Sequence, residues 1–518
     1  MDAFKSLNAG RGLFTSFLVA VLLLGGYRLQ AQDTQDTMPL TAFTPVLGEI
    51  TAGETQNWTF TGLDGAALSF RVEAISGDLD PVLSLRNSSG QTLIANDDYE
   101  YPVDKDALLE VMTLPRTDTY TVQISGYGDT TGEYLLTLTY GFANLALQET
   151  FETVTDWTAV DETGSIDPAD GQMVFQLTGM QIRDTAINSS ANPLTDYYAQ
   201  IDIRIASQVG GWEAGLTNRQ QDDGSYYLFS VNDRGQWRFA LHSAEGNDQA
   251  LRDWTPHPAI VPGDTAFTLG LMVNDTGFDF FYNGQLLGHT VDDTILNSGR
   301  VGLAIGTGTA LNSTASVQFD NLIITVPVEV NGRRLVPQQI IQGEPTVLVE
   351  ELRRRGVIPA AGEMALTVGE SFAEFRHPGV SRFMLGRGTL FTDFALGTTV
   401  SWESAAAGMA GCGLVFRQSD EAHYLLAYIE QTGGYGVSQR DGDSFLPGVF
   451  GEYAEISSGP HQLVVVAASN RVLYYIDGLL AGELMIEAQE GEVGNAVVNF
   501  EPISTSCQFT NTWLWRWR

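Results

Sequence analysis

The sequence predicts an all-β protein of three β-sandwich (jelly-roll) domains, the second and third being one fold present twice, with a short helix in the linker between them. Three observations support this prediction. Apolar and polar residues alternate through short segments over most of the chain, which is the period of a β-strand. Turn sequences such as Asn87-Ser88-Ser89-Gly90 separate these segments. A long series of sequence landmarks also occurs twice, in the same order.

The repeat begins at two segments of alternating residues, 214–220 and 226–231, and its two copies lie about 200 residues apart. Solenoid units repeat every roughly 20–50 residues, so this period indicates a duplicated domain. The corresponding segments are 214–220 with 412–418, 226–231 with 424–429, 278–284 with 472–478, and 317–321 with 507–511.

Composition excludes two classes of partner. The chain has 518 residues, a formal net charge of −36 and a pI of about 4.3. Nucleic acids and anionic membranes both require a positive protein surface, so we expect neither as a partner. The oligomeric state is left open.

The N-terminal 31 residues have the pattern of a secretory signal peptide. Lys5 and Arg11 precede an apolar run over residues 13–26, and Ala31 supplies a small residue at a cleavage point. The run is short for a membrane span, which needs about 20 residues, although an uncleaved anchor remains an alternative. We expect no membrane insertion beyond this segment, and therefore a secreted or cell-surface protein.

The expected boundaries follow the shifts between alternating segments and turn-rich stretches. Within the linker, Pro345 suits the first position of a helix and Gly356 its end, and the arginines at 353–355 are expected to be solvated charges at the helix terminus rather than a docking patch. The predicted order is signal peptide 1–31, spacer 32–45, first sandwich 46–141, second sandwich 147–327, linker 328–365 and third sandwich 366–518.

Both cysteines of the chain, Cys412 and Cys507, lie in the second copy of the repeat. The copies align them with Ala214 and Val317, on strands expected to be neighbours. In an oxidising compartment this placement favours a disulfide, with two buried free thiols as the alternative. No motif places a histidine beside either cysteine, so a catalytic role is not expected.

The first sandwich resembles the bacterial pre-peptidase C-terminal domain, a jelly-roll-like module of secreted proteins. The matching segments are residues 77–85, Asn96-Asp97-Asp98 and residues 118–127. The resemblance implies an appended extracellular module. No peptidase domain accompanies it, so proteolysis is not implied.

The second and third sandwiches resemble concanavalin-like or laminin-G-like domains, most closely those grouped with 3-keto-disaccharide hydrolases. The shared features are Phe319-Asp320-Asn321, a tyrosine-rich strand after an Arg-Gln turn, and a Tyr-Asn-Gly hairpin. This resemblance implies a two-sheet sandwich and either glycan binding or action on glycosides.

Aromatic and polar residues in both copies are candidates for ligand contact, because sugar sites combine aromatic faces with a few orienting polar groups. The recurrence of Arg219 as Arg417 is equally compatible with a role in holding a loop. The candidates are Trp212, Asn218, Arg219, Tyr226, Trp237 and Trp254 in the second sandwich, and Arg417, Tyr424 and Tyr428 in the third.

Calcium is the one cofactor that the sequence raises. Asp78, Asp80, Asp97 and Asp98 lie on turns that a sandwich can bring together, and hard oxygen ligands on loops suit Ca²⁺. Aspartates also stabilise turns without a metal, and this alternative stays open.

No catalytic motif is evident. The Glu-x-Asp-x-Glu triplet that would place two carboxylates beside a sugar bond is missing, and Asp202 and Glu213 are isolated. We therefore predict a secreted, non-catalytic protein that binds glycans or another surface component. The alternatives are a glycoside-acting hydrolase of the 3-keto-disaccharide hydrolase type and a structural surface spacer.

Overall fold

The computed structural model of the chain describes residues 37–97, 105–152, 156–160, 163–169, 171–330, 333–404, 410–452, 456 and 459–517. Their strands form three β-sandwiches, and one α-helix lies in the linker. The predicted signal peptide lies outside the described residues. Among those described, no helix combines the length and apolarity that crossing a bilayer requires.

The first sandwich packs a five-stranded sheet, ordered β1-β3-β8-β5-β6, on a four-stranded sheet, ordered β2-β9-β4-β7. Within the predicted spacer 32–45, Thr37–Pro39 pairs with β3 and Leu40 enters the core. The strands are β1 Thr37–Pro39, β2 Val46–Ile50, β3 Thr55–Gly62, β4 Ala67–Ala74, β5 Pro81–Arg86, β6 Thr92–Asn96, β7 Ala107–Thr113, β8 Asp118–Gly126 and β9 Gly132–Tyr140.

The second sandwich has an eight-stranded sheet, ordered β12-β13-β24-β15-β20-β21-β22 with β10 also on β24, and a seven-stranded sheet, ordered β11-β14-β23-β16-β17-β18-β19. Its strands are β10 Asn144–Glu149, β11 Trp157–Ala159, β12 Ser165–Ala169, β13 Gln172–Thr178, β14 Arg183–Asn188, β15 Tyr197–Val209, β16 Trp212–Gln220, β17 Tyr226–Asn232, β18 Gln236–His242, β19 Asp248–Pro256, β20 Ala266–Asn274, β21 Gly277–Tyr282, β22 Gln285–Val291, β23 Arg300–Thr307 and β24 Thr314–Val326.

The linker contributes the hairpin β25 Glu329–Val330 and β26 Arg333–Arg334, then α1 Pro345–Arg354. The third sandwich has a six-stranded sheet, ordered β27-β39-β29-β35-β36-β37, and a seven-stranded sheet, ordered β28-β38-β30-β31-β32-β33 with β34 on β32. Its strands are β27 Glu363–Phe375, β28 Gly379–Leu385, β29 Phe394–Ser404, β30 Ala410–Gln418, β31 His423–Glu430, β32 Gly434–Asp441, β33 Ser444–Phe445, β34 Val449–Glu452, β35 His461–Ala468, β36 Arg471–Ile476, β37 Leu479–Met485, β38 Glu492–Asn499 and β39 Thr505–Arg516.

Strand order shows that the second and third sandwiches repeat one fold. The path β13-β24-β15-β20-β21-β22 corresponds strand for strand to β27-β39-β29-β35-β36-β37, and β14-β23-β16-β17-β18 corresponds to β28-β38-β30-β31-β32. Unusual backbone recurs as well, since Arg219 and Arg417 both have φ of 47°. Residues other than glycine rarely adopt positive φ. The same unusual φ at these two equivalent arginines therefore reflects the same loop geometry in both copies. The predicted duplication is therefore visible in the backbone.

The predicted disulfide is confirmed. Cys412 on β30 and Cys507 on β39 are bonded, and both are fully buried. The expectation that the two strands are neighbours holds only across the core, because β30 and β39 belong to opposite sheets. The bond therefore ties the two sheets of the third sandwich together.

Contacts between the sandwiches cover the backs of two sheets. On the outer side of the eight-stranded sheet, Tyr198 and Phe281 pack with Val111 and Phe142, which belong to the first sandwich and the residues just after it. On the outer side of the six-stranded sheet, Trp513 and its neighbours pack against α1. The C-terminal tryptophans therefore line the seam between this sheet and α1. Residues 37–518 form one compact unit.

Helix α1 begins at Pro345 as predicted, but two of the three arginines expected to be solvated, Arg354 and Arg355, are buried. Arg354 and Arg355 are 7% and 2% exposed, and Arg354 pairs with Glu351 and with Asp279 of the second sandwich. Arg355 donates to Glu351 and to the hydroxyl of Thr113 in the first sandwich. The prediction of solvated charges is wrong for these two residues because all three sandwiches meet at this end of the helix.

A second buried charge lies where the first sandwich meets the linker. Oε1 of Glu110 accepts N–H hydrogen bonds from Ala143 at 3.2 Å and Val328 at 2.9 Å. Burial raises the pKa of this carboxyl to about 7, although those two hydrogen bonds oppose the shift. Since the native state holds this proton more tightly than the unfolded chain, the group favours folding fully below pH 4.5 and loses that contribution as the pH rises through about 7.

We expect Glu110→Gln to flatten this pH dependence. Glutamine keeps an Oε1 acceptor for both N–H groups but carries no charge to bury. As the pH rises from acidic to neutral, the free energy of unfolding of the original chain should therefore fall by about 3 kcal/mol relative to that of the variant. Thermal unfolding from about pH 4.5 to about pH 8 measures this difference. The exposed Glu49→Gln is the control, and parallel pH profiles for Glu110→Gln and the original chain would contradict the assignment.

Candidate functional site

Among the described residues, each of the two seven-stranded sheets has an outer side whose apolar clusters include no residue of another sandwich. Within the part of the chain that the structure describes, the buried apolar clusters on these outer sides consist of residues from that sheet alone. The outer sides of the eight- and six-stranded sheets are instead partly covered by neighbouring parts of the chain. A ligand therefore has most access to the seven-stranded sheets.

Three predicted ligand residues of the second sandwich lie in its core. Trp212, Asn218 and Trp237 are 6%, 0% and 1% exposed. Trp212 stacks on Phe267 from the opposite sheet, with ring centroids 5.8 Å apart. This corrects the expectation of ligand contact, because side chains enclosed between two sheets cannot reach a solute.

The recurring arginines hold loops in both copies. Arg219 donates to the carbonyl oxygens of Thr195 and Asp275, and Arg417 donates to those of Thr392 and Ser469. Both guanidinium groups are at most 1% exposed. The expectation of ligand contact by Arg219 and Arg417 is therefore corrected in favour of the loop-holding alternative.

The outer side of the second sandwich's seven-stranded sheet carries an ionic network, which we call the polar face: Arg183, Glu213, Arg238, His242 and Asp248. Nη2 of Arg238 lies 3.3 Å from Oε1 of Glu213 and 3.1 Å from Oδ2 of Asp248. Arg183 bridges the same two carboxylates, and Nδ1 of His242 lies 2.8 Å from Oδ1 of Asp248. Two arginines thus hold two carboxylates in place.

Two predicted aromatic residues border the polar face. Tyr226 stacks on His242 with ring centroids 4.6 Å apart, and the guanidinium carbon of Arg238 lies 5.1 Å from the ring of Trp254. Tyr226 is only 6% exposed, whereas Trp254 is half-buried. The network therefore occupies the surface that these rings would offer to a sugar.

The charges of the polar face satisfy one another. Burial alone would raise the pKa of Asp248, but Arg183, Arg238 and the His242 hydrogen bond lower it to about 2. Burial alone would lower the pKa of Arg183, but the neighbouring carboxylates of Glu213 and Asp248 raise it above its ordinary value. Asp248 therefore stays ionised and is unsuited to donate a proton.

The corresponding face of the third sandwich is aromatic. Its exposed rings are Phe445, Phe450 and Phe500, at 41%, 57% and 48%. Phe445 lies edge-on to Tyr424, and Phe500 lies against Tyr428, with centroid distances of 6.1 Å and 6.0 Å. We call the set Tyr424, Tyr428, Phe445, Phe450 and Phe500 the aromatic face.

Glycines form the floor of the aromatic face. Gly436 pairs with Phe450 on one side and Tyr428 on the other. A Cβ atom at Gly436 would lie 2.6 Å from Cδ1 of Phe450 and 2.9 Å from Cε1 of Tyr428. The absence of a side chain at this position lets both rings lie close to the sheet.

Arginines flank the rings of the aromatic face. The guanidinium carbon of Arg382 lies 4.7 Å from the centroid of Tyr424, and that of Arg440 lies 5.1 Å from the centroid of Phe445. Cation–π contacts of this kind hold aromatic rings in place while leaving guanidinium N–H groups available at the rim.

The strand register relates the two faces residue by residue. Four charged or polar positions of the second sandwich hold uncharged residues in the third: Arg183 is replaced by Val380, Glu213 by Gly411, Ser230 by Tyr428, and Arg238 by Gly436. His242 differs, because the charged Arg440 occupies its position. Tyr226 and Tyr424 occupy the same position. One fold thus carries an ionic network in one copy and open aromatic rings in the other.

The isolated carboxylates noted in the sequence face away from each other. Asp202 lies between the core residues Ile201 and Ile203 on the eight-stranded sheet, and Glu213 lies between Trp212 and Ala214 on the seven-stranded sheet. Both therefore point outward from opposite sheets, which pack about 10 Å apart. They cannot flank one glycosidic bond, which requires carboxylates roughly 5–9.5 Å apart.

Of the predicted calcium ligands, the three that the structure describes, Asp78, Asp80 and Asp97, do not form a group that could hold a metal ion. Asp78 accepts the N–H of Thr131 at 3.1 Å, whereas Asp80 pairs with Lys105. Asp97 follows β6, and Asp98 lies outside the described residues. Among the residues that the structure does describe, no group of three or more His, Cys, Asp or Glu side chains could hold a metal ion.

Known proteins resemble parts of the chain. No curated protein sequence matches it. A carbohydrate binding module, CBM66, from Bacillus subtilis is similar over 34% of this chain and 98% of its own length, with 17% identity and a TM-score of 0.27. A Bacillus licheniformis beta-glucanase is similar over 36% and 99%, with 11% identity and a TM-score of 0.26.

The first sandwich has its own similarities. The pre-peptidase C-terminal domain of a collagenase from Bacillus anthracis is similar over 20% of this chain and 95% of its own length, with 14% identity and a TM-score of 0.18. The sequence profile of the family described as "Bacterial pre-peptidase C-terminal domain" matches residues 54–126. The segment that is similar to this family therefore lies within the first sandwich.

Proposed function

We propose that this chain is a secreted, non-catalytic protein that binds extracellular glycans through the aromatic face of its third sandwich. The observation that carries the proposal is the gathering of three exposed phenylalanines, Phe445, Phe450 and Phe500, around Tyr424 and Tyr428 on one sheet. Exposed rings grouped in this way on a soluble protein mark a binding surface.

The chemistry of the aromatic face suits a sugar. Pyranose rings present C–H faces that pack on aromatic rings, while their hydroxyl groups need hydrogen-bonding partners at the edge. Arg382 and Arg440 flank the rings, and Glu430 lies at the end of the same strand as Tyr428. An uncharged oligosaccharide could therefore stack along the face with polar groups at both ends.

Secretion rests on two further observations. The buried Cys412–Cys507 disulfide is typical of proteins folded outside the cytoplasm. The segment that matches the pre-peptidase C-terminal family supports the same location, because such modules are appended to secreted bacterial proteins. The predicted signal peptide agrees with both.

Two variants test glycan binding directly. We expect Tyr428→Ala and Phe450→Ala each to weaken binding about fivefold to tenfold, since an aromatic stacking contact contributes about 0.5–1.5 kcal/mol beyond its buried area. A glycan array screen of the full chain selects the oligosaccharide, and titration of that oligosaccharide measures the affinity. Phe372→Ala is the matched control, because Phe372 is 66% exposed in the same sandwich but lies on the six-stranded sheet.

A third variant blocks the aromatic face. Gly436→Arg installs the residue that the polar face has at the equivalent position, and its side chain would displace Phe450 and Tyr428. We expect this variant to abolish binding while Phe372→Ala binds normally. Equal affinity for all variants, or no binding of any arrayed glycan, would favour the structural-spacer alternative.

Glycoside hydrolysis is the second candidate function, and one observation favours it. Burial, with the nearby Glu452 adding to it, raises the pKa of Glu430, the shift that a general acid needs. Glu452 pairs with Gly434, and a Cβ atom at Gly434 would clash with Oε1 of Glu430, so both carboxylates lie beside this glycine at the edge of the aromatic face. Release of reducing sugar from the bound oligosaccharide, lost in Glu430→Gln, would establish hydrolysis, and no release by the original chain would exclude it for that substrate.

A further inference from the structure

A cavity of about 150 Å³ lies where the linker crosses the third sandwich. Its walls come from residues 334–337 of the linker, residues 355–357 after α1, and the ends of β35 and β36. Arg334, Arg355 and Arg471 all line it. Three arginines around one small cavity are notable in a chain whose formal net charge is −36.

Arg355 is the central group of this cavity. Its Nε donates to Oε1 of Glu351 at 3.2 Å, and its Nη2 donates to the hydroxyl of Thr113. Its Nη1 has no partner among the described residues, although the side chain is only 2% exposed. A buried N–H without a partner is costly, and native proteins rarely leave one unsatisfied.

The other two arginines keep donors available at the rim. Nη1 of Arg334 lies 2.9 Å from Asp196, and Arg471 holds Glu483 through Nε at 2.7 Å and Nη2 at 2.9 Å. A guanidinium group carries five N–H donors, so these carboxylates leave others for a ligand. The Arg334 and Arg471 side chains are 27% and 35% exposed, which opens the cavity toward solvent.

The carboxylates near Arg355 also serve a second arginine. Burial, and then the neighbouring Arg354, lower the pKa of the Arg355 guanidinium, while Glu351 and Asp279 oppose the shift. These two carboxylates are shared with Arg354. An anion near Nη1 would give this buried donor a partner and would favour the charged form of Arg355.

We propose that this cavity binds a small oxyanion, phosphate or sulfate, through Nη1 of Arg355 with Arg334 and Arg471 at the rim. Oxyanions accept several charge-assisted N–H hydrogen bonds, and arginine is the side chain best suited to donate them. The volume exceeds the roughly 30 Å³ share of one liquid water several times, so the anion fits with part of its hydration shell. Bound anion would join the linker, α1 and the third sandwich, independently of glycan binding.

Thermal unfolding of the full chain tests the proposal. At constant ionic strength, millimolar phosphate or sulfate is expected to raise the midpoint by about 2 °C or more over chloride, in a saturable manner. Arg471→Gln should lose this rise, and it is expected to fold because the Arg471–Glu483 pair is solvent-accessible. Arg516→Gln is the control, since Arg516 forms an exposed pair with Glu363 elsewhere in the sandwich.

The comparison between variants separates site binding from general salt effects. Phosphate and sulfate also stabilise proteins by exclusion from their surfaces, but that effect rises without saturation and does not depend on Arg471. An equal rise in Arg471→Gln, or no rise over chloride, would overturn the proposal and assign water to the cavity. Acetate distinguishes the class of anion: a rise with acetate equal to that with phosphate would overturn the assignment to tetrahedral oxyanions in favour of carboxylates.

Discussion

Replacing Arg354 with alanine is expected to lower the free energy of unfolding by about 3–5 kcal/mol, because it removes one partner of a buried ion pair. The carboxylates of Glu351 and Asp279, which are 2% and 4% exposed, would be left with Arg355 as the one arginine of this cluster. Burial opposes the ionised form of Glu351, but Arg354 and Arg355 hold the pKa of this carboxyl well below its usual range. The favourable contribution of Glu351 is therefore present above its ordinary pKa and lost as the pH falls below it.

The neighbouring Arg353 supplies the control for this prediction. It pairs with Glu350 in the same helix, with side chains 25% and 34% exposed, so Arg353→Ala should cost at most about 1 kcal/mol. Thermal and urea unfolding compare the two variants, and limited proteolysis reports opening of the linker. Equal losses in the two variants would show that the buried network does not hold the sandwiches together.

Helix α1 also shows how far local sequence reasoning reaches. Pro345 and Gly356 mark its ends correctly, because these signals act within a turn of the helix. The fate of its arginines depends on Asp279 and Thr113, which are 75 and 242 residues away from them in the chain. Nothing near the helix specifies those partners, so the local pattern wrongly favours solvated charges.

The candidate site was only partly predictable for a related reason. In residues 226–231, apolar side chains occupy both strand faces, so alternation does not tell which ones face the core. The sequence indicates Tyr424 and Tyr428 as candidates but not the exposed Phe445, Phe450 and Phe500, because a hairpin and a loop bring these three rings to the sheet. The available signal was the glycine opposite Phe450, which leaves room for a ring.

Duplication explains why shared landmarks are poor guides to the site. Positions that recur between copies, such as Arg219 and Arg417, hold equivalent loops and are buried. Positions that differ, such as Arg238 and Gly436, lie on the outer faces. The recurring buried residues keep the fold the same in both copies, and the residues that differ on the outer faces give the two copies different surface chemistry. The functional difference is therefore expected where the copies disagree.

The copies also provide the substitution that tests the disulfide. Cys412→Ala combined with Cys507→Val installs the residues of the second sandwich, Ala214 and Val317, at equivalent core positions. Packing is then expected to be retained while the covalent link is lost. Because the two cysteines are separated by 95 residues, the link should contribute about 4–5 kcal/mol by restricting the unfolded chain.

We expect the double variant to fold and to unfold at a clearly lower denaturant concentration than the original chain. Reduction of the original chain should lower its midpoint as well, and reduction should leave the double variant unchanged. Unfolding of the double variant at the original midpoint would contradict the prediction. In the second sandwich, Ala214 and Val317 occupy the equivalent core positions and the two sheets pack without a disulfide. The disulfide is therefore expected to affect the stability of the third sandwich rather than its fold. A stable third sandwich suits an aromatic face whose floor of glycines contributes no side-chain packing of its own.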